Sequence, residues 1–255
     1  MNALAKANAN KLINKYFFNG PEELNQELEN MLYAEGLFIR EDELENCEGK
    51  IYFSGNNGVI TLNSTSDIKQ KKFTLAHEAG HFFNEKGVGS YFCGYKELYG
   101  SIGNNTRESN ANDFAAELLM HEKWFIGFTE KQKISYDLFS NTAEYFGVSL
   151  TAVTLRYSLI GYHPVAVIMS KDKIIKWISI SKNFSYQFIR VGNKVSKLSY
   201  AYDFYEGKEI PEFEDIPAEA WFKEDNNLKK RNARIMEMNI PMPKYNSVLS
   251  VLWEI

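Results

Sequence analysis

The strongest chemical signal in the chain is a His-Glu-x-x-His pattern, formed by His77, Glu78 and His81 within a stretch of helical periodicity. Residues four apart on a helix share one face, so both imidazoles can reach a single metal ion. Glu78 would lie beside that ion, where it could accept a proton from metal-bound water during attack on a carbonyl. Zinc suits such ligands and lowers the pKa of its bound water to about 7. The pattern predicts a hydrolytic zinc site, and the alternative is a pair of core histidines satisfied by packing.

A third protein ligand is expected in a second amphipathic segment, Arg107–Met120. A catalytic zinc uses three protein ligands and keeps a fourth position open. We predict Glu108 as that ligand, with Asn112, one turn later on the same face, holding a histidine ring in place. Asp113 could exchange roles with Asn112. Glu117 is a further candidate ligand, for which a surface position is the favoured interpretation.

The segment between these two helices contains Cys93. A thiolate is a strong zinc ligand, so a loop folded over the metal would let Cys93 fill the fourth position and keep the site latent. A structural cysteine is the favoured alternative. A donor for a developing oxyanion is expected nearby, and the candidates are Tyr91, Tyr95, Tyr99 and His121.

The two motifs, FTLAHEAGH and ESNANDFAAELLM, resemble those of the ImmA/IrrE family of zinc metallopeptidases. The family pattern usually places a proline after the final Met, where this chain has His121. A looser likeness extends through residues 143–149 to Arg156. The ligand set that the resemblance implies is His77, His81 and Glu108, with Glu78 as the catalytic base.

The resemblance also implies a function. Members of the family are cytoplasmic peptidases that cut a helix-turn-helix repressor at a limited site and so release genes of mobile elements, stress responses or phage defence. It implies a zincin-like peptidase domain as well, and a C-terminal domain that senses a signal or positions the substrate. We therefore expect a repressor as the protein substrate, and a nucleic acid or a small molecule as an activator.

Composition agrees with a folded protein and excludes several classes. The chain has 255 residues, 44% of them hydrophobic, and a formal charge of −4, so it can bury a large core and is not a disordered polymer. No apolar run approaches the ~20 residues that a membrane span requires. Two cysteines cannot form a disulfide framework. We expect a cytoplasmic protein that does not associate with membranes.

The order of periodic segments predicts an α+β fold in two domains. Residues 1–162 should form a mainly helical domain with a small sheet that ends in a helical pair, and residues 163–255 a smaller, β-rich α+β domain. The boundary is placed near Gly161–Pro164. The predicted helices are 3–16, 21–35, 71–84, 107–120, 136–146, 150–159 and a turn at 217–222. The predicted strands are 37–40, 50–54, 59–62, 165–169, 174–180, 184–191 and 247–253.

Two other functions are compatible with the sequence. A metal-binding regulator could sequester a partner without cutting it. A DNA-binding protein could use the helical pair 136–159, which resembles a helix-turn-helix, or the basic cluster Lys229-Lys230-Arg231 with Arg234. The helical pair carries only one positive charge in its second helix, so packing against the peptidase core is favoured over DNA binding.

Overall fold

The computed structural model describes residues 2–85, 106–228 and 233–255. The helices in these ranges are α1 (Ala3–Lys15), α2 (Pro21–Ala34), α3 (Ile68–Asn84), α4 (Thr106–Leu119), α5 (Glu122–Thr129), α6 (Tyr136–Phe146), α7 (Leu150–Ile160), α8 (Tyr200–Tyr205) and α9 (Glu219–Phe222). The strands are β1 (Leu37–Asp42), β2 (Gly49–Ser54), β3 (Asn57–Asn63), β4 (Val165–Lys171), β5 (Ile174–Ile180), β6 (Phe213–Pro217), β7 (Arg234–Met242) and β8 (Ser247–Glu254). The α+β class is confirmed.

The chain divides into two compact units. The first comprises Met1–Phe128 and Thr142–Ser149, and the second comprises Thr129–Asn141 and Leu150–Ile255. The domain boundary at 162/163 stays a prediction. Within the described residues, no helix is both long and apolar enough to cross a membrane.

The first unit contains a three-stranded sheet that supports α3. Its order is β1-β3-β2, with β1 parallel and β2 antiparallel to β3. Side chains alternate between the two faces of a strand, and the face that carries Ile51, Phe53, Ile60 and Leu62 is buried. Helix α3 lies against β2 and β3. The sheet therefore provides a rigid base for the helix that carries the His-Glu-x-x-His pattern.

Helix α3 begins at an N-cap whose side chain satisfies the first free amides. The Asp67 carboxylate accepts hydrogen bonds from the backbone N–H groups of Lys69 and Gln70. Toward the C-terminal half every residue from Phe73 to Phe82 is buried, so this part of the helix is enclosed by the unit. A buried histidine or glutamate needs polar partners.

Helix α4 crosses α3 at very short range. Gly80 makes the approach possible, because a β-carbon there would lie 3.0 Å from both the Cα and the carbonyl oxygen of Ala111. Helix α1 packs against α4. The contact places the first turn of α4 beside the middle of α3.

The second unit contains an antiparallel sheet of order β5-β4-β8-β7-β6. A hydrophobic cluster covers one face, and it includes Ile168, Phe184, Trp221, Val248 and Leu252. Helix α7 contacts β4 and β5 and is buried along most of its length. The expectation that this helix packs against the peptidase core stays a prediction. The burial of the helix leaves it poorly suited to enter a DNA groove.

One expectation for the second unit was wrong, and three of its elements were missed. The predicted strand 184–191 is irregular, because the backbone N–H groups of Gln187 and Phe188 donate to the Asp225 carboxylate instead of to a strand. Strands β6 and β7 and helix α8 were not predicted. Helix α5 was also missed in the first unit.

Candidate metal centre

Two histidines of α3 bring their ring nitrogens together. His77 and His81 are one turn apart and almost fully buried, and their Nε2 atoms lie 3.2 Å from each other. Helical spacing produces this pairing, since side chains four residues apart project from one face. Both Nε2 atoms therefore point to a common position.

The Glu108 carboxylate, in the first turn of α4, reaches the same position. Its Oε2 lies 3.2 Å from His77 Nε2, and its Oε1 lies 3.5 Å from His81 Nε2. One donor atom from each of the three residues falls within 4.8 Å of the others. Ligands 2.0–2.1 Å from a tetrahedral zinc are separated by about 3.3 Å. The three donors thus fit one small divalent cation in both spacing and chemistry.

Hydrogen bonds at the opposite ring nitrogens set the tautomers of both histidines. His77 Nδ1 is 2.9 Å from Asn112 Oδ1, and His81 Nδ1 is 3.1 Å from a Glu85 carboxylate oxygen. Both oxygens are acceptors, so each Nδ1 carries a hydrogen, and each Nε2 would present its lone pair to a cation bound beside Glu108. The rings are held in the form that binds metal.

Glu78 lies next to His77 in the sequence, on the same buried helix. It is fully buried, and neither of its carboxylate oxygens has a hydrogen-bond partner in the described ranges. Burial raises the pKa of Glu78 to about 8, opposed by the charge of His81 and assisted by that of Glu108. A buried carboxylate without a partner is costly, and a pKa near neutrality suits a group that exchanges protons.

Comparison with known proteins agrees with these motifs. Residues 34–158 match the model of the M78 peptidase family, described as the IrrE N-terminal-like domain. The chain contains an ImmA/IrrE-family domain. Members of this family are typically metal-dependent, so the match indicates that this chain is a metallopeptidase-like regulator.

A solved structure shares the fold over the whole chain. It is described as a Mycobacterium tuberculosis transcriptional regulator, with a TM-score of 0.64 and 16% sequence identity, and the match covers 100% of this chain and 77% of that one. Among curated proteins, none matches this sequence significantly.

The charge states at the candidate metal centre of the IrrE-like domain follow from burial and from the Glu108 carboxylate. Burial lowers the pKa of His77 and outweighs its hydrogen bond with Glu108. For His81 burial acts in the same direction, but hydrogen bonds with Glu108 and Glu85 outweigh it and raise the pKa. Partial burial would raise the pKa of Glu108, yet the two histidines hold it well below its ordinary value. Glu108 is therefore an anion at neutral pH, as a metal ligand must be.

Strand β2 approaches Glu78 through a glycine. A β-carbon on Gly49 would overlap the Cγ2 methyl of Thr74 and lie 3.4 Å from the Cγ and Oε1 of Glu78. Thr74 is one turn before Glu78 on α3, and its buried hydroxyl has no partner among the residues described. Only a glycine allows β2 to approach this part of the helix so closely.

The structure separates other predicted residues from the metal centre. Asp113 accepts a hydrogen bond from the backbone N–H of Asn2 at 2.6 Å, so it does not exchange roles with Asn112. Glu117 is fully buried, which corrects the surface interpretation, and the described metal-ligand cluster does not include it. His121 Nε2 lies 3.9 Å from Glu117 Oε1.

Several predictions concern residues outside the described ranges. These are Cys93 as a fourth ligand, Tyr91, Tyr95 and Tyr99 as oxyanion donors, and the basic cluster Lys229-Lys230-Arg231.

The contact of Glu85 with His81 Nδ1 was not predicted from the sequence. Glu85 follows His81 by four residues, so the same helical spacing that pairs the histidines would have identified it.

Proposed function

We propose that this protein is a zinc-dependent endopeptidase that makes a limited cut in a helix-turn-helix transcriptional repressor and thereby derepresses mobile-element, stress-response or phage-defence genes. The observation that carries the proposal is the position of Glu78. Its carboxylate is buried and without a partner in the described residues, next to three donor atoms that fit one cation. A structural metal site would not need such a group.

The proposed division of labour follows from the contacts of each residue. His77, His81 and Glu108 would hold the metal, while Asn112 and Glu85 keep the imidazoles in the binding tautomer. Zinc bound there supplies a Lewis acid that makes hydroxide available near neutral pH.

Glu78 would handle the proton in this reaction. Its carboxylate accepts the proton that the attacking water loses and returns it to the nitrogen of the leaving amine, so that one carboxylate acts as base and then as acid. Burial raises the pKa of Glu78 toward neutrality, and a group with a pKa nearer the working pH can both accept and release a proton. Because Glu78 lies in the buried part of α3, bulk water is excluded from its carboxylate.

The choice of a repressor as substrate rests on the resemblance to the ImmA/IrrE family. The structural neighbour described as a transcriptional regulator supports a role in gene control.

The test is to incubate zinc-loaded protein with the repressor encoded beside its gene and to map the fragments by mass spectrometry. We expect one dominant cut with the wild type and none with Glu78→Gln, which keeps the three ligands. Glu29→Gln, at an exposed glutamate of α2, is the matched control and should cut normally. If Glu78→Gln retains the full biological effect, the peptidase proposal fails and a non-cleaving metal-binding regulator is favoured.

A latent state held by Cys93 is part of the same proposal. Replacing Cys93 with Ala should then raise basal cleavage, and unchanged cleavage with an unchanged zinc environment would exclude this role.

A further inference from the structure

A cavity of about 510 Å³ opens within the second unit, at one end of its five-stranded sheet. Trp253 of β8 and Met236 of β7 are register partners and form its floor. Phe213 of β6 meets Trp253 edge-on, with 6.0 Å between ring centroids. Ile134 and Pro164 complete the apolar lining. The volume lies within the range of about 300–1,000 Å³ that small-molecule sites occupy.

The floor continues a sheet face that is otherwise buried. Residues two apart on a strand share a face. Val251 therefore lies on the same face of the sheet as Trp253, and Met238 lies on the same face as Met236. Val251 and Met238 are 0% and 1% exposed, whereas Trp253 and Met236 remain partly accessible. Aromatic and thioether side chains left open at the end of a core face favour a flat apolar ligand, because covering them removes apolar area from water.

The rim of the cavity carries the Lys133 ammonium. In the described part of the chain, no carboxylate lies within 4.0 Å of the Lys133 ammonium. The other charge at the rim, Glu254, is already engaged, since its oxygens accept hydrogen bonds from Ser185 N at 2.7 Å and Ser185 Oγ at 2.9 Å. His163 and Asn183 add polar atoms beside Lys133. The rim therefore complements an anion.

We propose that this cavity binds a small aromatic carboxylate, with the ring system against Trp253 and Met236 and the carboxylate paired with the Lys133 ammonium. A charge-assisted hydrogen bond to Lys133 would orient the ligand, and burial of the ring would supply most of the affinity. The cavity uses no residue of the metal centre. The proposal is therefore independent of peptidase activity.

The test uses 2-naphthoate and its neutral analogue, 2-naphthamide, titrated into the full chain by calorimetry and by quenching of tryptophan fluorescence. We expect saturable binding of one 2-naphthoate per chain, with the amide bound roughly five- to tenfold more weakly. Lys133→Met should reduce the affinity for the carboxylate to that for the amide and leave the amide unchanged. Lys176→Met, at an exposed lysine of β5 outside the cavity, is the matched control and should behave as wild type.

Substitution of the floor tests the other half of the proposal. Trp253→Leu should lower the affinity for both compounds by at least about tenfold, because it removes the aromatic surface. Circular dichroism and thermal unfolding verify that the variant is folded, and Met236→Ala provides a second, smaller change at the floor. Absence of saturable binding to the wild type, or an equal preference for the carboxylate in Lys133→Met, would overturn the proposal.

Discussion

Gly80 and Ala111 bring the backbones of α3 and α4 into direct contact. A β-carbon on Gly80 would lie 3.0 Å from two backbone atoms of Ala111, which cannot move aside as a side-chain end can. Glu108 and Asn112 flank Ala111 on α4. The distance between the candidate ligands of the two helices therefore depends on a residue that binds nothing itself.

Gly80→Ala should weaken zinc binding without removing a ligand. The added methyl group forces α4 away by a few tenths of an ångström, and we expect a loss of affinity on the order of tenfold, or ~1.4 kcal/mol. Competition with a chromophoric chelator measures it. Gly127→Ala is the matched control, since Gly127 also lies in a helix but has open space around its β-position. Equal zinc affinities in the two variants would refute the role of the close crossing.

Asn112→Ala should lower zinc affinity by about 10- to 100-fold, because His77 then loses the acceptor that fixes its tautomer and ring orientation. Equilibrium dialysis at controlled free zinc provides the measurement. Asp113→Ala changes the adjacent residue, whose carboxylate accepts from Asn2 N instead, and should bind zinc as wild type does. If Asp113→Ala has the larger effect, the assignment of Asn112 is wrong.

Gly49→Ala should impair cleavage while leaving zinc bound. The new methyl group would overlap the Thr74 Cγ2 methyl and press toward Glu78, so β2 and the carboxylate must shift. Thr74→Ser removes that methyl group, and the double variant should recover most of the lost kcat. Zinc content and kcat are measured on Gly49→Ala, on Thr74→Ser and on the double variant. Failure of Thr74→Ser to rescue, with zinc still bound, would show that Gly49 acts in another way.

Glu237 should make the stability of the second unit depend on pH. It is buried, and it accepts hydrogen bonds from Ser199 Oγ, Tyr200 N and Trp221 Nε1. Burial raises the pKa of Glu237 above the ordinary 4.5, with these hydrogen bonds opposing the change. The folded state thus holds a proton that the unfolded state has released, and stability falls as pH rises from about 4.5 toward the folded pKa, by up to ~1.4 kcal/mol per pH unit.

Urea unfolding at pH 5, 6 and 7 tests this prediction. Glu237→Gln cannot ionise, so its free energy of unfolding should lose that decline, although the amide costs one hydrogen bond. Glu219→Gln, at an exposed glutamate of α9, should keep the wild-type profile. Parallel pH profiles for wild type and Glu237→Gln would contradict the account.

Much of the metal centre could be predicted because helical spacing is local. His77 and His81 share a face by geometry alone, and the same holds for Glu108 and Asn112. The meeting of the two pairs depends on the Gly80–Ala111 crossing, which no local pattern reveals. Glu117 shows the limit, since a carboxylate in the last turn of an amphipathic helix is expected to be exposed, whereas this one is buried.

The second unit was predicted only in part. Strand β8 was predicted at 247–253, close to its observed range Ser247–Glu254, although six consecutive residues from Ser247 to Leu252 are buried and the alternation of a half-buried strand is absent. Strand β7 was missed partly because of Pro241. The proline is tolerated there because β6 pairs only as far as Met238, which leaves that end of β7 with a free edge among the described strands.

The most direct test of the central claim is the zinc content per chain after equilibrium dialysis, measured by elemental mass spectrometry on wild type, Glu78→Gln and Glu108→Ala. We predict one zinc per chain for wild type and for Glu78→Gln, and a large loss for Glu108→Ala, because Glu108 is the proposed ligand and Glu78 is not. Stoichiometric zinc in Glu108→Ala, or its loss in Glu78→Gln, would contradict this claim.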